Sequence, residues 1–154
     1  MKTVTKQTTI PEKSIVANGF DRIDYSDTYR IVQPTSDSAE EIAGEIFNPP
    51  KWVNWLLYIR NSIVGTLGLK TKKEKREGQT TYFVLIEKSE NEIVMGENDK
   101  HLDFRVSVFV DRANSFIYLT TIVRFNNFLG KVYFLPVKPF HKLIVKSCLK
   151  RQIK

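Results

Sequence analysis

Acidic, imidazole and guanidinium side chains alternate along one short stretch of this 154-residue chain. Asp99, His101 and Asp103 are spaced by two, so on one continuous strand they would share a face, as a metal-binding carboxylate and imidazole group requires. Arg105 comes next on that face, and the strand register described below sets Asp103 opposite Arg124. Because a charge pair accounts for Asp103 more simply and Asp99 falls in a predicted turn, we expect no metal site here.

The two histidines, His101 and His141, are the candidates for general acid–base chemistry, because imidazole is the side chain that exchanges a proton near neutral pH. Neither has a serine or cysteine placed by the sequence as its nucleophile partner. Cys148 lies on the apolar stripe of the last predicted helix, where we expect a small buried hydrophobe rather than a reactive thiol. The sequence leaves open whether the chain is an enzyme, and we expect that it is not. It implies no cofactor.

The elements that must position these residues begin with a strand at 101–110 and a β-rich run at 116–125. Apolar and polar side chains alternate along the first of them with the period of two that a half-buried strand requires. If Ala113 and Asn114 form the tip of a two-residue hairpin loop, apolar residues face each other along the ladder, and a slip by one residue would set them against polar ones. The predicted pairs are Val110 with Ile117, Val108 with Leu119, Phe104 with Val123 and Leu102 with Phe125.

Two more strands precede this hairpin. A turn at 97–100 adds one strand to the apolar face, and an earlier turn at 89–92 brings in another at 82–88. The result is an antiparallel meander with one apolar face and one mixed face. The predicted pairs are Met95 with Leu102, Ile93 with Phe104, and Met95 with Ile86.

The first half of the chain predicts one strand and two short helices. The strand runs over 23–32. The oxygen-bearing segment 35–38, followed by Glu40 and Glu41, is typical of a helix start. A second helix begins near Lys51 and ends around Gly65 to Gly68. The apolar stripe of the first helix is Ala39, Ile42, Ala43 and Ile46.

A final helical region starts at the capping pair Asn126-Asn127 and continues to about Lys150. Pro136 and Pro139 are expected to break or kink it. This helix is the natural cover for the apolar sheet face, which predicts an α+β fold with a pocket between sheet and helix. One helix face carries Leu143, Ile144 and Cys148, and another carries the basic row Lys138, Lys142, Lys146 and Lys150.

Length and composition predict one domain at 23–154, preceded by an N-terminal arm at 1–22 that is mobile as far as Asn18. The chain has no apolar leader and no apolar run long enough to span a bilayer, so we expect a cytoplasmic protein, in agreement with its single cysteine. The net charge of +7 indicates solubility first. It also favours anionic surfaces, with the basic row and the charged loop 70–78 as the candidate contacts.

Several phrases resemble bacterial domain-of-unknown-function family 2867, which is placed by resemblance within the helix-grip (START-like, Bet v 1-like) superfamily. The resemblance covers about 24–151 and implies a seven-stranded curved sheet wrapped around a long C-terminal helix, often with an apolar cavity between them. It implies no catalytic residues. The phrases that carry it include Asp24-Tyr25-Ser26-Asp27, Pro50-Lys51-Trp52-Val53, Gly96, His101-Leu102-Asp103-Phe104-Arg105-Val106, Thr120-Thr121, Asn126-Asn127 and Pro139-Phe140-His141.

The function that we expect is non-covalent binding of an apolar or amphipathic small molecule in this cavity. One alternative is an enzyme of the cyclase or hydratase kind that uses His101, Asp103 or Arg105. Another is a peripheral binder of anionic membrane or nucleic acid; we expect weak membrane contact at most and do not expect nucleic acid. The predicted ligand-binding residues are Phe104, Val106, Val108, Leu119, Thr121, Val123, Tyr133, Phe140 and Ile144.

Overall fold

Two ten-residue strands form the centre of a single antiparallel sheet. The structure is a computed structural model that describes residues 4–7, 9–46, 84–98 and 102–150. The sheet order β1-β2-β6-β5-β4-β3, with two described helices, confirms the α+β class. The elements are β1 (Thr5–Gln7), β2 (Tyr25–Val32), α1 (Ala39–Ile46), β3 (Val84–Lys88), β4 (Glu92–Asn98), β5 (Leu102–Asp111), β6 (Phe116–Phe125) and α2 (Phe128–Lys150).

The β5–β6 hairpin has the register that the alternation predicts. All four predicted pairs occur, among them Val108 with Leu119. Asp103 lies opposite Arg124, and the two side chains form the expected ion pair. The physical reason is the period of two along each strand. A shift of the pairing by an odd number of residues would turn all the apolar side chains of one strand to the opposite face.

The pairing of β4 with its neighbours differs from the prediction. Met95 faces Val106 rather than Leu102, a displacement by an even number of residues that keeps Met95 on the apolar face. A β-bulge next to Leu85 shifts the β3–β4 ladder, so Met95 pairs with Leu85 and not with Ile86. Alternation fixes which side chains of β4 lie on the apolar face, but it does not fix the absolute register. The bulge in addition shifts the β3–β4 pairing by one residue, which alternation does not predict.

Helix α1 begins with the reciprocal cap that its sequence predicts. The backbone N–H of Glu41 donates to Ser38 Oγ (3.1 Å), and the Ser38 N–H donates to Glu41 Oε2 (3.0 Å). The whole predicted apolar stripe of α1 is buried on β4 and β5. The second predicted helix and the charged loop at 70–78 lie outside the described residues.

Helix α2 begins at the predicted cap, where Asn127 Oδ1 accepts from the Gly130 N–H (3.0 Å). It continues unbroken through Pro136 and Pro139, contrary to the predicted break. Each proline removes one N–H donor, but the carbonyls left without it belong to residues 132 and 135, on a side of the helix where water can hydrate them. No helix in the described part of the chain has the length and apolarity to cross a membrane.

The helices cover one face of the sheet, which we call the inner face, and residues 10–20 cover the other, the outer face. Val16 is buried against Val94 and Ile122 of the outer face. The segment predicted as a mobile arm therefore lies against the sheet, and Thr5–Gln7 pairs with β2 as an edge strand that the sequence did not predict. The mixed face carries enough apolar surface to need a cover, and the N-terminal segment supplies it.

Candidate functional site

Four polar side chains meet on the otherwise apolar inner face. Tyr25 and Asp27 project from β2, Thr121 from β6 directly opposite Asp27, and His141 reaches in from α2. Because side chains two residues apart share a face, Tyr25 and Asp27 are brought to the helix side together. We refer to these four residues as the polar cluster.

Asp27 is the centre of the polar cluster, with its side chain only 1% exposed. The Tyr25 hydroxyl donates to Asp27 Oδ2 over 2.6 Å. His141 Nε2 lies 3.1 Å from the same oxygen, but the geometry does not make a hydrogen bond. The two groups form an ion pair only when the imidazole is protonated. A carboxylate, a phenol and an imidazole therefore converge on one buried oxygen.

The polar cluster holds most of the unfilled hydrogen-bonding capacity of the described interior. Four buried side-chain atoms in the described ranges have no hydrogen-bond partner, and three of them are Asp27 Oδ1, Thr121 Oγ1 and His141 Nε2. Each such atom costs about 1–3 kcal/mol of stability. Native interiors usually avoid this cost, so the concentration of three such atoms in one place makes the polar cluster the candidate functional site.

Burial controls the protonation of the two tyrosines next to Asp27. Burial, the hydrogen bond to Asp27 and the Asp27 charge raise the pKa of Tyr25 far above its ordinary range. Burial and the Asp27 charge also raise the pKa of Tyr29, the next inner-face residue on β2. Both phenols stay protonated at physiological pH, and Tyr25 acts as a fixed donor.

Two lysines of the predicted basic row flank the polar cluster. Lys138 Nζ lies 5.3 Å from the Tyr25 ring centroid, and Lys146 Nζ lies 5.7 Å from that of Tyr29. These distances fall within the range of cation–π attraction. The rim around the buried Asp27 carboxylate is therefore positively charged.

The predicted ligand-binding residues do not all lie at the polar cluster. Val108 and Leu119 are buried in the apolar cluster that joins the sheet to α1 and to the last turns of α2, together with Cys148, and Ile144 packs against that cluster. Thr121 belongs to the polar cluster, and Phe140 is partly exposed on α2. The side chain of Tyr133 lies outside the described residues. Next to the polar cluster on the inner face are Phe104, Val106 and Val123.

Sequence reasoning found Thr121 as a polar group on this face but missed Tyr25 and Asp27. The signal was present, because the odd-numbered residues of β2 include Tyr25, Asp27 and Tyr29. What was lacking was the pairing of β2 with β6, a contact between distant segments that assigns the face.

The other predicted acid–base residues lie on the outer face or outside the described residues. Asp103 is bound by Arg124 and by Asn126 Nδ2 (3.0 Å). Arg105 is buried beneath the Phe20 ring (5.0 Å), and desolvation lowers the pKa of its guanidinium. Asp99 and His101 are not among the described residues. The sheet therefore separates Asp103 and Arg105 from His141, and the described ranges hold no group of three metal-ligating side chains.

A shallow depression of about 400 Å³ lies at the start of α2, away from the polar cluster. Arg22 bridges across it by donating to Asp24 and to the Phe125 carbonyl. Its mixed lining is Arg22, Asp24, Phe125, Asn126, Asn127, Phe128 and Lys131.

Comparison with known proteins finds one family. Residues 20–148 match the model of a family described as "Protein of unknown function (DUF2867)". No curated protein and no solved structure matches the chain. Two of the phrases that carry the resemblance, Asp24-Tyr25-Ser26-Asp27 and Pro139-Phe140-His141, supply three of the four residues of the polar cluster.

Proposed function

The chain belongs to the family described as protein of unknown function (DUF2867), and within it we propose that this protein binds an amphipathic small molecule between its sheet and α2. The observation that carries the proposal is the set of three unpartnered buried polar atoms in the polar cluster. They match the polar end of a ligand, since a specific pocket combines apolar walls with a few placed donors and acceptors.

Apolar walls on both sides of the polar cluster support a ligand with an apolar body. Along the inner face of β6, Thr121 lies between Val123 and Leu119, which belong to different apolar clusters. Phe134 of α2 packs on the Tyr25 ring with centroids 4.7 Å apart. Burying about 300 Å² of apolar ligand surface contributes about 7 kcal/mol before entropic costs. Micromolar binding requires about 8 kcal/mol net, so hydrogen bonds from the polar cluster must add to the apolar contribution.

The chemistry of the polar cluster also favours a class of head group. Asp27 Oδ1 accepts hydrogen bonds, whereas the Thr121 hydroxyl both donates and accepts them. A hydroxyl or an amide satisfies both kinds of partner.

The test is native mass spectrometry of the purified protein, followed by denaturing extraction of whatever it releases. We compare Thr121→Val with Thr120→Val, two buried neighbours whose side chains point to opposite faces of β6. Thr121→Val is expected to lower ligand occupancy, with affinity about tenfold weaker for one lost hydrogen bond. Thr120→Val should retain the ligand.

The stability of the apo-protein is an independent test of Thr121→Val and Thr120→Val. The Thr121 hydroxyl has no partner, so its removal should leave stability unchanged or raise it. Thr120 Oγ1 shares a hydrogen bond with Thr28 (3.2 Å), and its removal should cost about 1 kcal/mol. A wild-type protein that carries no adduct, with equal effects of the two substitutions, would contradict the proposal.

A second candidate function is acid–base catalysis at the polar cluster, favoured by the 3.1 Å contact of His141 with Asp27. In a hydration, the imidazole takes a proton from water while the water oxygen bonds to one carbon of a double bond. The π bond breaks, and its electron pair takes the proton from the imidazolium to form the C–H bond at the other carbon. His141→Gln should then accumulate a bound molecule one water lighter than the one released by wild type. Identical released molecules would exclude this hydration.

The helix-grip fold and a cytoplasmic location are part of the proposal. An antiparallel sheet with α2 across one face is compatible with the former. The single buried Cys148 is compatible with a reducing compartment.

A further inference from the structure

Helix α2 exposes large apolar side chains on the side that faces away from the sheet. Phe128, Leu135 and Leu143 are 76%, 67% and 56% exposed. They are separated by seven and eight residues, about two helical turns each, so they lie along one side of the helix. Leu143 was predicted on the apolar stripe of α2, but that stripe consists of residues such as Phe134, Val145 and Leu149.

Lysines border this apolar line, and no acidic residue interrupts it. The 23 residues of α2 include five lysines and no Asp or Glu. Lys131 and Lys150 are exposed and Lys142 is half-buried, and at 100° per residue all three lie within about 60° of Leu135 around the helix. We call Phe128, Leu135 and Leu143 with these three lysines the basic–apolar face.

An anionic lipid bilayer fits the basic–apolar face better than other partners. Apolar side chains gain by entering the boundary between head groups and acyl chains, while lysines extend to the lipid phosphates. Nucleic acid would satisfy the lysines but leave three large apolar side chains against a phosphate backbone. A second copy of the chain would set lysines against lysines, with no acidic residue on α2 to offset them.

We propose that the protein docks on anionic membrane surfaces through the basic–apolar face of α2. This site is independent of the proposed ligand site, because His141 and Phe134 point to the sheet from the other side of the helix. Either proposal can fail while the other holds.

The experiment is flotation of the full chain with vesicles of equal parts phosphatidylglycerol and phosphatidylcholine, compared with vesicles of phosphatidylcholine alone. We expect binding to the anionic vesicles only. Raising salt from about 0.1 M to about 1 M shortens the screening length from about 10 to 3 Å and should release the protein. Equal binding to both vesicle types, or no binding to either, would overturn the proposal.

Two matched pairs of double variants test the face itself. Leu135→Gln/Leu143→Gln removes apolar contact from α2, and Leu85→Gln/Ile86→Gln removes two exposed apolar side chains from β3 as its control. Likewise Lys131→Gln/Lys150→Gln is matched by Lys6→Gln/Lys13→Gln, which changes the net charge equally at exposed sites elsewhere.

We expect the leucine pair on α2 to weaken vesicle binding at least tenfold, and the lysine pair to weaken it about fivefold per lysine. The controls should bind like wild type, and circular dichroism should show that all four variants are folded. Equal loss in a control, retention of a DNA oligonucleotide but not of vesicles, or a protein dimer that the leucine pair dissociates would overturn the proposal.

Discussion

Asp27 is the central residue of the candidate site. Its carboxylate is buried on the inner face, held by the Tyr25 hydroxyl and approached by His141. A buried carboxylate is retained only when its surroundings compensate for desolvation. Here one of its two oxygens accepts a hydrogen bond and the other has no partner among the described residues.

Tyr25→Phe tests the protonation of the polar cluster. The pKa of Tyr25 is raised above its ordinary value of 10.0 in the folded protein, chiefly by burial and by Asp27. The folded state therefore holds the phenolic proton more tightly than the unfolded state, and stability falls as pH rises above about 10. Denaturant unfolding from pH 8 upward should show this fall in wild type and a smaller one in Tyr25→Phe. Parallel pH profiles would contradict the assignment.

Gly96→Ala tests a close approach within the sheet. A Cβ atom at Gly96 would lie 2.1 Å from the Phe104 carbonyl oxygen, which belongs to the backbone and can move only with the strand. We expect a loss of about 1–3 kcal/mol in the free energy of unfolding.

Gly44→Ala is the matched control for this substitution. Nothing lies within 4 Å of a Cβ at Gly44, and alanine favours the helix by about 0.5–1 kcal/mol. The two substitutions should therefore change stability in opposite directions. A tolerated alanine at Gly96 would disprove the close approach.

At the scale of elements, the cover of the outer face depends on one buried carboxylate. Glu92 of β4 is 1% exposed and accepts from the Ile15 N–H (2.9 Å) and from the hydroxyls of Ser14 (2.6 Å) and Ser107. The donors of Ser14 and Ile15 fasten the N-terminal segment to the sheet, and Ser107 of β5 holds the carboxylate in place. Apolar contact brings this segment to the outer face, and Glu92 holds its position there.

Glu92→Gln should loosen this attachment. An amide presents one acceptor oxygen in place of two, so the Ser14 and Ser107 hydroxyls must accept from its NH2 group instead of donating, and the charge-assisted hydrogen bonds are lost, at a cost of about 1–3 kcal/mol. Hydrogen exchange at the Ile15 amide should become faster, while exchange in β5 and β6 changes only with global stability. Glu12→Gln, an exposed position in the same segment, is the control and should leave both unchanged. Unaltered exchange at Ile15 in Glu92→Gln would contradict the role of this carboxylate.

At the scale of the whole molecule, the sheet lies between two apolar layers and packs against both. The inner layer contains α1 and α2, and the outer layer contains the N-terminal segment. Because β4 and β6 contribute side chains to both layers, loss of either layer exposes apolar surface on strands that support the other.

Val16→Ala in the outer layer and Leu149→Ala in the inner layer should therefore destabilise one cooperative transition. Both side chains are fully buried. We expect losses of about 2 kcal/mol for Val16→Ala and about 2–5 kcal/mol for Leu149→Ala. Coincident unfolding curves by circular dichroism and calorimetry check this result. A separate early transition in Val16→Ala would show that the N-terminal segment unfolds independently.

The sequence by itself determined the elements whose stabilising contacts are local or strictly periodic. The β5–β6 register follows from alternation across a short turn, and the starts of α1 and α2 follow from the capping residues Ser38 and Asn127. These features depend on residues that are close in the sequence, and every alternative register or helix start would cost free energy. The family resemblance was likewise readable from the sequence and is confirmed for the family.

Only the tertiary structure decided which distant segments share a surface. The short polar strand β1 has no pattern of its own, and the outer-face position of residues 10–20 depends on apolar surface elsewhere. The polar cluster was hidden for the same reason. Asp27 reaches Thr121 through β2–β6 pairing and His141 through the packing of α2, and such contacts are selected by total burial across the molecule rather than by local sequence.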